Sequence, residues 1–311
     1  SEYLPLSISP FKAYYDRVAQ CPKQNNLVEY VNHPKRLRYP LKRAGKRGEN
    51  KWEQISWDQA LDEIAEKLGN IKKDYGAEAV GFVFGFYNEQ WDVSRFANLF
   101  GSPNTDSMNA RICGAMEAFI NVMTYGGIAH YGDAVDPEKT KLVVIWANRP
   151  MSCDPVKWRK EMAVPRRIFI NPSRTPEIQD DDMWLQIRPG TDTALGLGWL
   201  NVIINENLYD KEFVEKWVYG FEGLKERVQK YPPERVAEIT GVPKEDIVKS
   251  ARMYATIKPG YIIWGSPLAY YGLNSAETER AKCCLRAITG NLDVEGGSRI
   301  TQVYTKQVKL N

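Results

Sequence analysis

Apolar residues recur at helical spacing after Ser56, at positions 61, 64, 65, 68 and 71. This spacing places them on one face of an α-helix. Gln59 follows Ser56 by three residues, which is the pattern of a capping box and predicts that the helix begins there. Gly76 is placed to end it, since glycine readily adopts the left-handed conformation that often follows a helix.

Continuous apolar runs, rich in β-branched and aromatic residues, predict buried strands. They lie at 79–86, 141–146, 167–170 and 261–264. Further helices are predicted near 91–100, 193–206, 210–217, 221–230, 243–256 and 276–289. Strands that alternate with helices indicate an α/β fold, in which parallel sheets carry helices on both faces. Ligands in such sheets bind beyond the carboxyl ends of the strands, which directs attention to the loops there.

Polar loops follow three of the predicted strands, at 147–150, 171–175 and 265–267. Arg174 can clamp a phosphate, and Asn148 and Asn171 can bond to a sugar or a base edge. Together the loops could hold a nucleotide-like ligand, although for each loop alone an ordinary turn is the favoured interpretation. Neither a GxGxxG fingerprint nor a P-loop is present, so this hypothesis needs support from another source.

Asp192 has two interpretations. A buried carboxylate here could accept hydrogen bonds from the N1–H and the exocyclic amine of a guanine. Alternatively, Asp192 or Thr191 caps the helix that begins near Thr193. Spacing alone favours the cap, and the two roles can coexist at different atoms.

Composition narrows the possible classes of function. The net charge of +3 over 311 residues gives no reason to expect nucleic acid or a membrane surface as the main partner. No apolar run approaches the ~20 residues that a membrane-spanning helix needs. Five cysteines and two histidines occur without a CxxC pair, so the chain cannot build a complete zinc or iron–sulfur site by itself.

Several blocks of sequence occur in one collinear order over about residues 20–311. They lie at 39–43, 45–49, 55–60, 99–104, 146–150, 171–175, 188–195 and 287–291. In this order they resemble the molybdopterin guanine dinucleotide enzymes of the dimethyl sulfoxide reductase family. That family includes formate dehydrogenases, nitrate, polysulfide and thiosulfate reductases, and acetylene hydratase. The resemblance implies the central, pterin-binding fragment of such an enzyme, with two intertwined α/β domains.

The resemblance also implies a bis-(molybdopterin guanine dinucleotide) cofactor that carries Mo or W. Cys113 stands at the metal ligand's position, about nine residues after the block at 99–104. Its thiolate is a soft ligand that suits such a metal, whereas without the resemblance a buried apolar cysteine would be the ordinary interpretation. The residues implied to hold the guanosine and phosphate groups are Asn148, Asn171, Arg174, Gly190, Asp192 and Gly265. Asn171 stands where many relatives carry Asp, which removes a charge from that contact.

Cys21 and Lys23 resemble the family's last iron–sulfur cysteine and the lysine between cluster and pterin, with Gln24 in place of the usual Gly. The three earlier cysteines are missing, and a 4Fe-4S cluster normally takes four thiolates. We therefore expect an excised fragment that holds no cluster and no metal by itself, with the 4Fe-4S cluster present only in the full-length protein. Cys283 and Cys284 lie on an apolar helix and are expected to be core residues.

The family pattern predicts four segments. Residues 1–54 would be the remnant of an iron–sulfur domain with an N-terminal arm, and 55–112 the first part of α/β domain II. Residues 113–285 would form α/β domain III, a dinucleotide-fold-like domain that binds the pterin guanosine. Residues 286–311 would return into an incomplete domain II.

Three functions remain open. The first is a redox enzyme that transfers an atom and electrons to or from a small substrate, and the second is a non-redox tungsten hydratase of the acetylene hydratase type. The third is an inactive, cofactor-free fragment. Gly114 stands where many relatives carry His after the ligand, which weakens a formate dehydrogenase assignment. In the full-length enzyme the resemblance implies an electron-transfer iron–sulfur subunit and a membrane anchor subunit, in the cytoplasm or the Tat-served periplasm of an anaerobic prokaryote.

Overall fold

The computed structural model describes residues 26–85, 89–107, 114–129, 135–149, 155–263, 265, 268 and 274–301. Cys21, Lys23 and Cys113 lie outside these residues. The chain forms two compact units, Ser1–Met108 and Asn109–Asn311. The four segments implied by the resemblance stay predictions. Among the described helices, none combines the length and the apolar character that crossing a membrane requires.

The first unit contains short paired strands and two longer helices. Its elements are α1 (Leu27–Val31), β1 (Leu41–Arg43), β2 (Trp52–Gln54), α2 (Trp57–Tyr75), β3 (Phe82–Phe84), α3 (Glu89–Phe100) and β4 (Thr105–Ser107). Strand β1 pairs with β2 in the antiparallel direction, whereas β3 and β4 are parallel.

The helix predicted after Ser56 is confirmed as α2, and local hydrogen bonds explain where it begins and ends. The Ser56 hydroxyl accepts from the backbone N–H of Gln59 at 3.1 Å, which satisfies one of the free donors of the first turn. The Gln59 side chain does not complete the capping box, because it donates to Glu63 Oε1 at 3.0 Å. Gly76 ends the helix with a φ of 88°, and its N–H donates to the carbonyl of Lys72.

The apolar run at 79–86 forms a shorter and more exposed strand than the buried one that the sequence predicts. Phe82 packs edge-to-face against Phe96 and Phe100 of α3, with ring centroids 5.6 and 5.8 Å apart. Val83 faces the other way, because side chains alternate along a strand, and it is 66% exposed. The prediction of burial was wrong because, within the described residues, α3 covers the face of β3 opposite to Val83.

The second unit alternates strands with helices. Its elements are α4 (Ala115–Tyr125), β5 (Ile128–Ala129), β6 (Leu142–Trp146), α5 (Pro155–Met162), β7 (Arg166–Ile170), β8 (Met183–Leu185), α6 (Asp192–Asn205), α7 (Lys211–Trp217), α8 (Phe221–Val228), α9 (Pro233–Thr240), α10 (Lys244–Thr256), β9 (Gly260–Ile262), α11 (Ser275–Ile288) and β10 (Ile300–Thr301). This pattern confirms the predicted α/β class.

A four-stranded sheet with the order β8-β7-β6-β9 lies at the centre of the second unit, and every neighbouring pair is parallel. Leu142 of β6 pairs with Arg166 of β7 and with Gly260 of β9, which sets the register of the three strands. All five residues of β6 are 0% exposed. A strand buried on both faces needs a continuous apolar sequence, which explains why it was predictable.

Different side chains cover the two faces of this sheet. Leu142, Val144 and Trp146 belong to a large core shared with α6 and α8–α11. Val143 and Ile145 point the other way, into a smaller cluster that includes Phe169, Tyr261 and Ile263 and against which Met162 of α5 packs. Helices therefore cover both faces, as predicted.

Helices α6 and α11 approach closely at Gly196, where a Cβ would lie 2.9 Å from the Cβ of Ala281. We expect Gly196→Ala to lower the free energy of unfolding by about 1–3 kcal/mol, because an extra methyl overpacks the contact. Urea denaturation of the purified chain measures this change.

Gly223→Ala in α8 is the matched control, because a Cβ there meets nothing within 4 Å. It should be neutral or stabilising by up to about 1 kcal/mol, since glycine is unfavourable inside a helix. Equal losses of stability in both variants would contradict the close packing of α6 on α11.

Candidate functional site

A cavity of about 320 Å³ opens at the carboxyl edge of the four-stranded sheet. Ala147 after β6, Pro172 after β7 and Ile187 after β8 form part of its wall, which is mostly apolar. Its polar side chains are Asp192 at the start of α6, and Asn274 and Thr278 at the start of α11. The loops of three adjacent parallel strands thus meet at one concave site, where an α/β sheet usually binds its ligand.

Asp192 is the acidic residue of the cavity wall. Its Oδ1 accepts a hydrogen bond of 2.8 Å from Nε1 of Trp146, the last residue of β6. Burial raises the pKa of the Asp192 carboxyl, while the Trp146 donor and the charge of Lys282 act in the opposite direction. A carboxylate in an apolar cavity is a strong acceptor for paired N–H donors of a ligand.

The structure contradicts the interpretation that the side chain of Thr191 or Asp192 caps helix α6. Thr191 stands at the N-cap position of α6, but no side chain makes the capping hydrogen bond. The Thr191 hydroxyl donates instead to the carbonyl of Arg188 at 2.7 Å. Spacing alone could not reveal the donor for Asp192, because Trp146 lies 46 residues away along the chain, whereas the acceptor for Thr191 is a local carbonyl that competes with the cap.

Asn148 and Asn171 lie side by side at the same edge. Nδ2 of Asn171 donates to the carbonyl oxygen of Asn148 at 3.3 Å, and the Asn171 carbonyl accepts from Nε1 of Trp184 at 3.1 Å. Asn171 is 8% exposed. Its amide therefore joins the loops after β6 and β7 in this structure.

Arg174 lies on the surface of the loop after β7, where Nη2 contacts Oδ1 of Asp180 at 3.1 Å. Both partners are largely exposed, and exposed ion pairs contribute little to stability, so the guanidinium can exchange this partner for an anionic ligand. Arg149 is held more firmly, because its Nε contacts Oε1 of Glu177 at 3.2 Å and the Glu177 side chain is 1% exposed. No sequence pattern indicates the Arg149–Glu177 pair, because its members lie 28 residues apart along the chain.

Two of the predicted site residues, Gly190 and Gly265, require glycine for different structural reasons. Gly190 lines the cavity with a φ of 83° in open space, so glycine is favoured there by its conformation. Gly265 is required by contact, because a Cβ there would collide with the carbonyl oxygen of Trp146. Gly265, three residues after β9, therefore lies directly against the end of β6.

A buried network of charges joins α11 to α4. Nζ of Lys282 contacts Oε1 of Glu117 at 3.2 Å and Oε2 of Glu279 at 2.6 Å, and all three side chains are at most 5% exposed. Glu279 Oε1 also accepts from Arg286 at 2.9 Å and from Asn121 at 2.8 Å. Burial lowers the pKa of Lys282, but the charges of Glu117 and Glu279 raise it by more, so the ammonium stays charged.

Cys283 and Cys284, which lie between Lys282 and Arg286 of this network on α11, are core residues as predicted. Cys283 is fully buried, and Cys284 packs against the large core. Burial raises the pKa of Cys283 to about 12 and that of Cys284 to about 11. Both thiols are thus protonated at neutral pH and unsuited to bind a metal. Within the described part of the chain, no three His, Cys, Asp or Glu side chains come together as a metal site.

A family model for molybdopterin oxidoreductases matches residues 36–298. The chain is 44% identical over 279 residues to acetylene hydratase of Syntrophotalea acetylenica, which covers 87% of the chain and 38% of that protein. It is 33% identical over 327 residues to dimethyl sulfoxide reductase DmsA of Escherichia coli (strain K12), which covers 91% of the chain and 39% of that protein.

A third relative is the thiosulfate reductase molybdopterin-containing subunit PhsA of Salmonella typhimurium, 32% identical over 294 residues, with 92% of the chain and 38% of that protein covered. Among solved structures, acetylene hydratase from Pelobacter acetylenicus superposes with a TM-score of 0.72 and 42% identity, over 87% of this chain and 38% of that one. The chain thus spans about two fifths of the length of these relatives.

Lys282→Met is expected to destabilise the second unit by about 3–5 kcal/mol, because it leaves two buried carboxylates without their shared cation. Arg252→Met is the matched control, since Arg252 pairs with Glu206 at 2.7 Å on the surface of the same unit and is 57% exposed. Urea denaturation should show a large loss in the first variant and a small one in the second. Similar losses would contradict the assigned importance of the buried network.

Proposed function

Because the chain belongs to the molybdopterin oxidoreductase family, we propose that its second unit binds the guanosine end of a molybdopterin guanine dinucleotide. Family membership implies a molybdopterin cofactor with Mo or W. The proposed place is the cavity at the carboxyl edge of the four-stranded sheet. The observation that carries the proposal is the Asp192 carboxylate, held by Trp146 in an otherwise largely apolar wall.

The chemistry of the cavity suits guanine better than adenine. A carboxylate accepts two parallel hydrogen bonds, and guanine offers adjacent N1–H and amine donors on one edge. Adenine has no such pair of donors. Ile170 and Leu268 supply apolar surface for the faces of a planar base. The volume of about 320 Å³ also falls within the ~300–1,000 Å³ that is typical of small-molecule sites.

The polar loops at the same edge suit the sugar and the phosphates. Arg174 has an exposed guanidinium with a weakly held partner, which allows it to bind an anion. Asn148 and Asn171 lie together after β6 and β7, where they can bond to ribose hydroxyls. Gly190 leaves the cavity wall free of a side chain, and Gly265 allows the backbone after β9 to lie against Trp146 and Ala147 at the end of β6.

The metal end of the cofactor is assigned from the sequence alone. We assign Cys113 as the thiolate ligand of Mo or W, and it lies two residues before the start of α4. Cys21 is the remaining candidate for a 4Fe-4S ligand in the full-length protein, and Lys23 for the contact between cluster and pterin. When bound, the metal–pterin group supplies either redox chemistry or Lewis-acid activation of water. The residues of the second unit hold and orient its nucleotide end.

For the whole protein we propose a Mo or W oxidoreductase that acts on a small substrate, with an electron-transfer partner subunit. The second candidate is a non-redox hydratase, favoured by the 44% identity to acetylene hydratase compared with 33% to a dimethyl sulfoxide reductase. In the full-length enzyme, a redox-dye assay and an acetylene hydration assay separate the two candidates, because only one of the two assays should be positive.

Cys113→Ala should abolish the activity that is found and remove one protein sulfur from the metal's X-ray absorption spectrum. An unchanged sulfur count would contradict the ligand assignment.

The guanine assignment is tested by titrating the purified chain with GDP, IDP and ADP and measuring the heat of binding by calorimetry. GDP should bind at least about 10-fold tighter than ADP, because hydrogen bonds to a charged group contribute ~1.5–3 kcal/mol. IDP lacks the exocyclic amine and should fall between the two.

Asp192→Asn should remove most of the preference for GDP, because an amide presents one donor and one acceptor to two donors. Arg252→Met, on the surface of α10, serves as the control and should bind all three nucleotides like the parent chain. Equal affinity for GDP and ADP in a natively folded parent chain would overturn the proposal.

A further inference from the structure

Trp146 occupies an unusual position for a core residue. It is the last residue of β6 and is 0% exposed, and its side chain belongs to the large core on the helix α6 side of the sheet. Its indole Nε1 nevertheless reaches the cavity wall, where it donates to Oδ1 of Asp192 at 2.8 Å. One side chain therefore connects the interior of the core to the acidic group of the site.

The surroundings of Trp146 hold its ring in one place. The ring packs against Trp199 of α6 with centroids 5.6 Å apart, and Trp199 stacks in turn on Tyr254 of α10 at 5.8 Å. A Cβ added at Gly196 would lie 3.7 Å from Cη2 of Trp146, so the backbone of α6 runs close to the ring edge. A ring enclosed in this way cannot change rotamer without repacking the core, which makes its N–H a fixed donor.

A fixed donor has two effects on a carboxylate in an apolar wall. It orients the carboxylate plane, because it occupies one lone pair of Oδ1 and leaves lone pairs on both oxygens for two parallel donors of a ligand. It also favours the ionised form, which opposes the rise in pKa that burial causes at Asp192. The ionised form matters, since a protonated carboxyl would present an O–H donor to a ligand edge made of donors.

Few other charges act on this carboxylate. Lys282 of α11 favours its ionised form, and the backbone N–H of Asp192 does the same. The other described residues of the cavity wall, such as Asn274 and Thr278 of α11, carry no charge. Trp146 is thus the neutral neighbour whose removal would alter the protonation of Asp192 without altering the net charge of the chain.

We propose that Trp146 is a positioning residue for nucleobase recognition, which holds Asp192 oriented and ionised so that the carboxylate reads the guanine edge. The proposal rests on the proposed function of the cavity and adds the residue that determines its selectivity. Sequence patterns could not suggest it, because Trp146 ends a buried strand and its partner lies 46 residues further along the chain.

Trp199 provides a matched control. It is equally buried in the same core and contacts Trp146, but its Nε1 has no hydrogen-bond partner among the described residues. Trp146→Phe and Trp199→Phe each remove a similar volume from the core. Only the first removes the N–H that binds Asp192.

The experiment measures the affinities of the purified chain and the two variants for GDP and ADP at a series of pH values from neutral into the acidic range, because acidification protonates a carboxyl and a raised pKa brings this protonation closer to neutral pH. Trp146→Phe should weaken GDP binding by about 10-fold and leave ADP binding unchanged, which is the effect of one lost hydrogen bond to a charged group. As the pH is lowered, the GDP affinity of this variant should begin to fall at a higher pH than that of the parent chain. The reason is that the pKa of Asp192 rises when the donor is lost. Trp199→Phe should keep the parent's GDP preference and pH profile.

If Trp146→Phe fails to fold, benzothienylalanine at position 146 provides a second test. In this analogue of tryptophan a sulfur atom replaces the indole N–H, and the shape of the side chain stays nearly constant. It should reproduce the loss of GDP preference and the shifted pH profile. If the parent chain prefers GDP and the variants at 146 and 199 behave alike, the positioning role is wrong and the proposed function stands. If the folded parent shows no preference for GDP, both are wrong.

Discussion

Burial of both faces of β6 is the constraint on which the second unit depends. Because the five residues from Leu142 to Trp146 have no contact with solvent, helices must cover the sheet on each side. Parallel pairing with β7 and β9 then brings the loops after these strands to one edge. That edge is where the cavity opens, so the same packing that stabilises the sheet also creates the site.

Helix α11 connects the cavity to the buried interior of the second unit. Thr278 in its first turn lines the cavity, and Glu279 and Lys282 in the next residues bind α4 through the buried charge network. Buried ion pairs give little net stability over apolar packing, but removing one partner is costly, so they restrict how two elements can sit together. Helix α4, which begins two residues after Cys113, is therefore anchored to the helix that forms one side of the cavity.

The family and the α/β class were predictable, and both are confirmed, because each depends on features that are continuous in sequence. Strand β6 is an unbroken apolar run, β7 has three consecutive apolar residues after two arginines, and α6 and α10 have long apolar patterns. Helix α9 and strand β8 were missed, since they are short and depend on partners distant in the chain, such as the contact of Val236 with Gly198. The hydrogen bond from Trp146 to Asp192 and the pair of Arg149 with Glu177 were missed for the same reason, and motif spacing holds no information about them.

Recognition of guanine by a carboxylate held in an apolar cavity is the proposed function of the second unit. A crystal structure of the chain soaked with GDP tests it most directly, because it locates the base without relying on catalysis. The guanine N1 and exocyclic amine should lie within hydrogen-bond distance of the Asp192 carboxylate, with the Trp146 contact to its Oδ1 retained. A base bound elsewhere, or bound in the cavity with its donor edge turned away from Asp192, would contradict it.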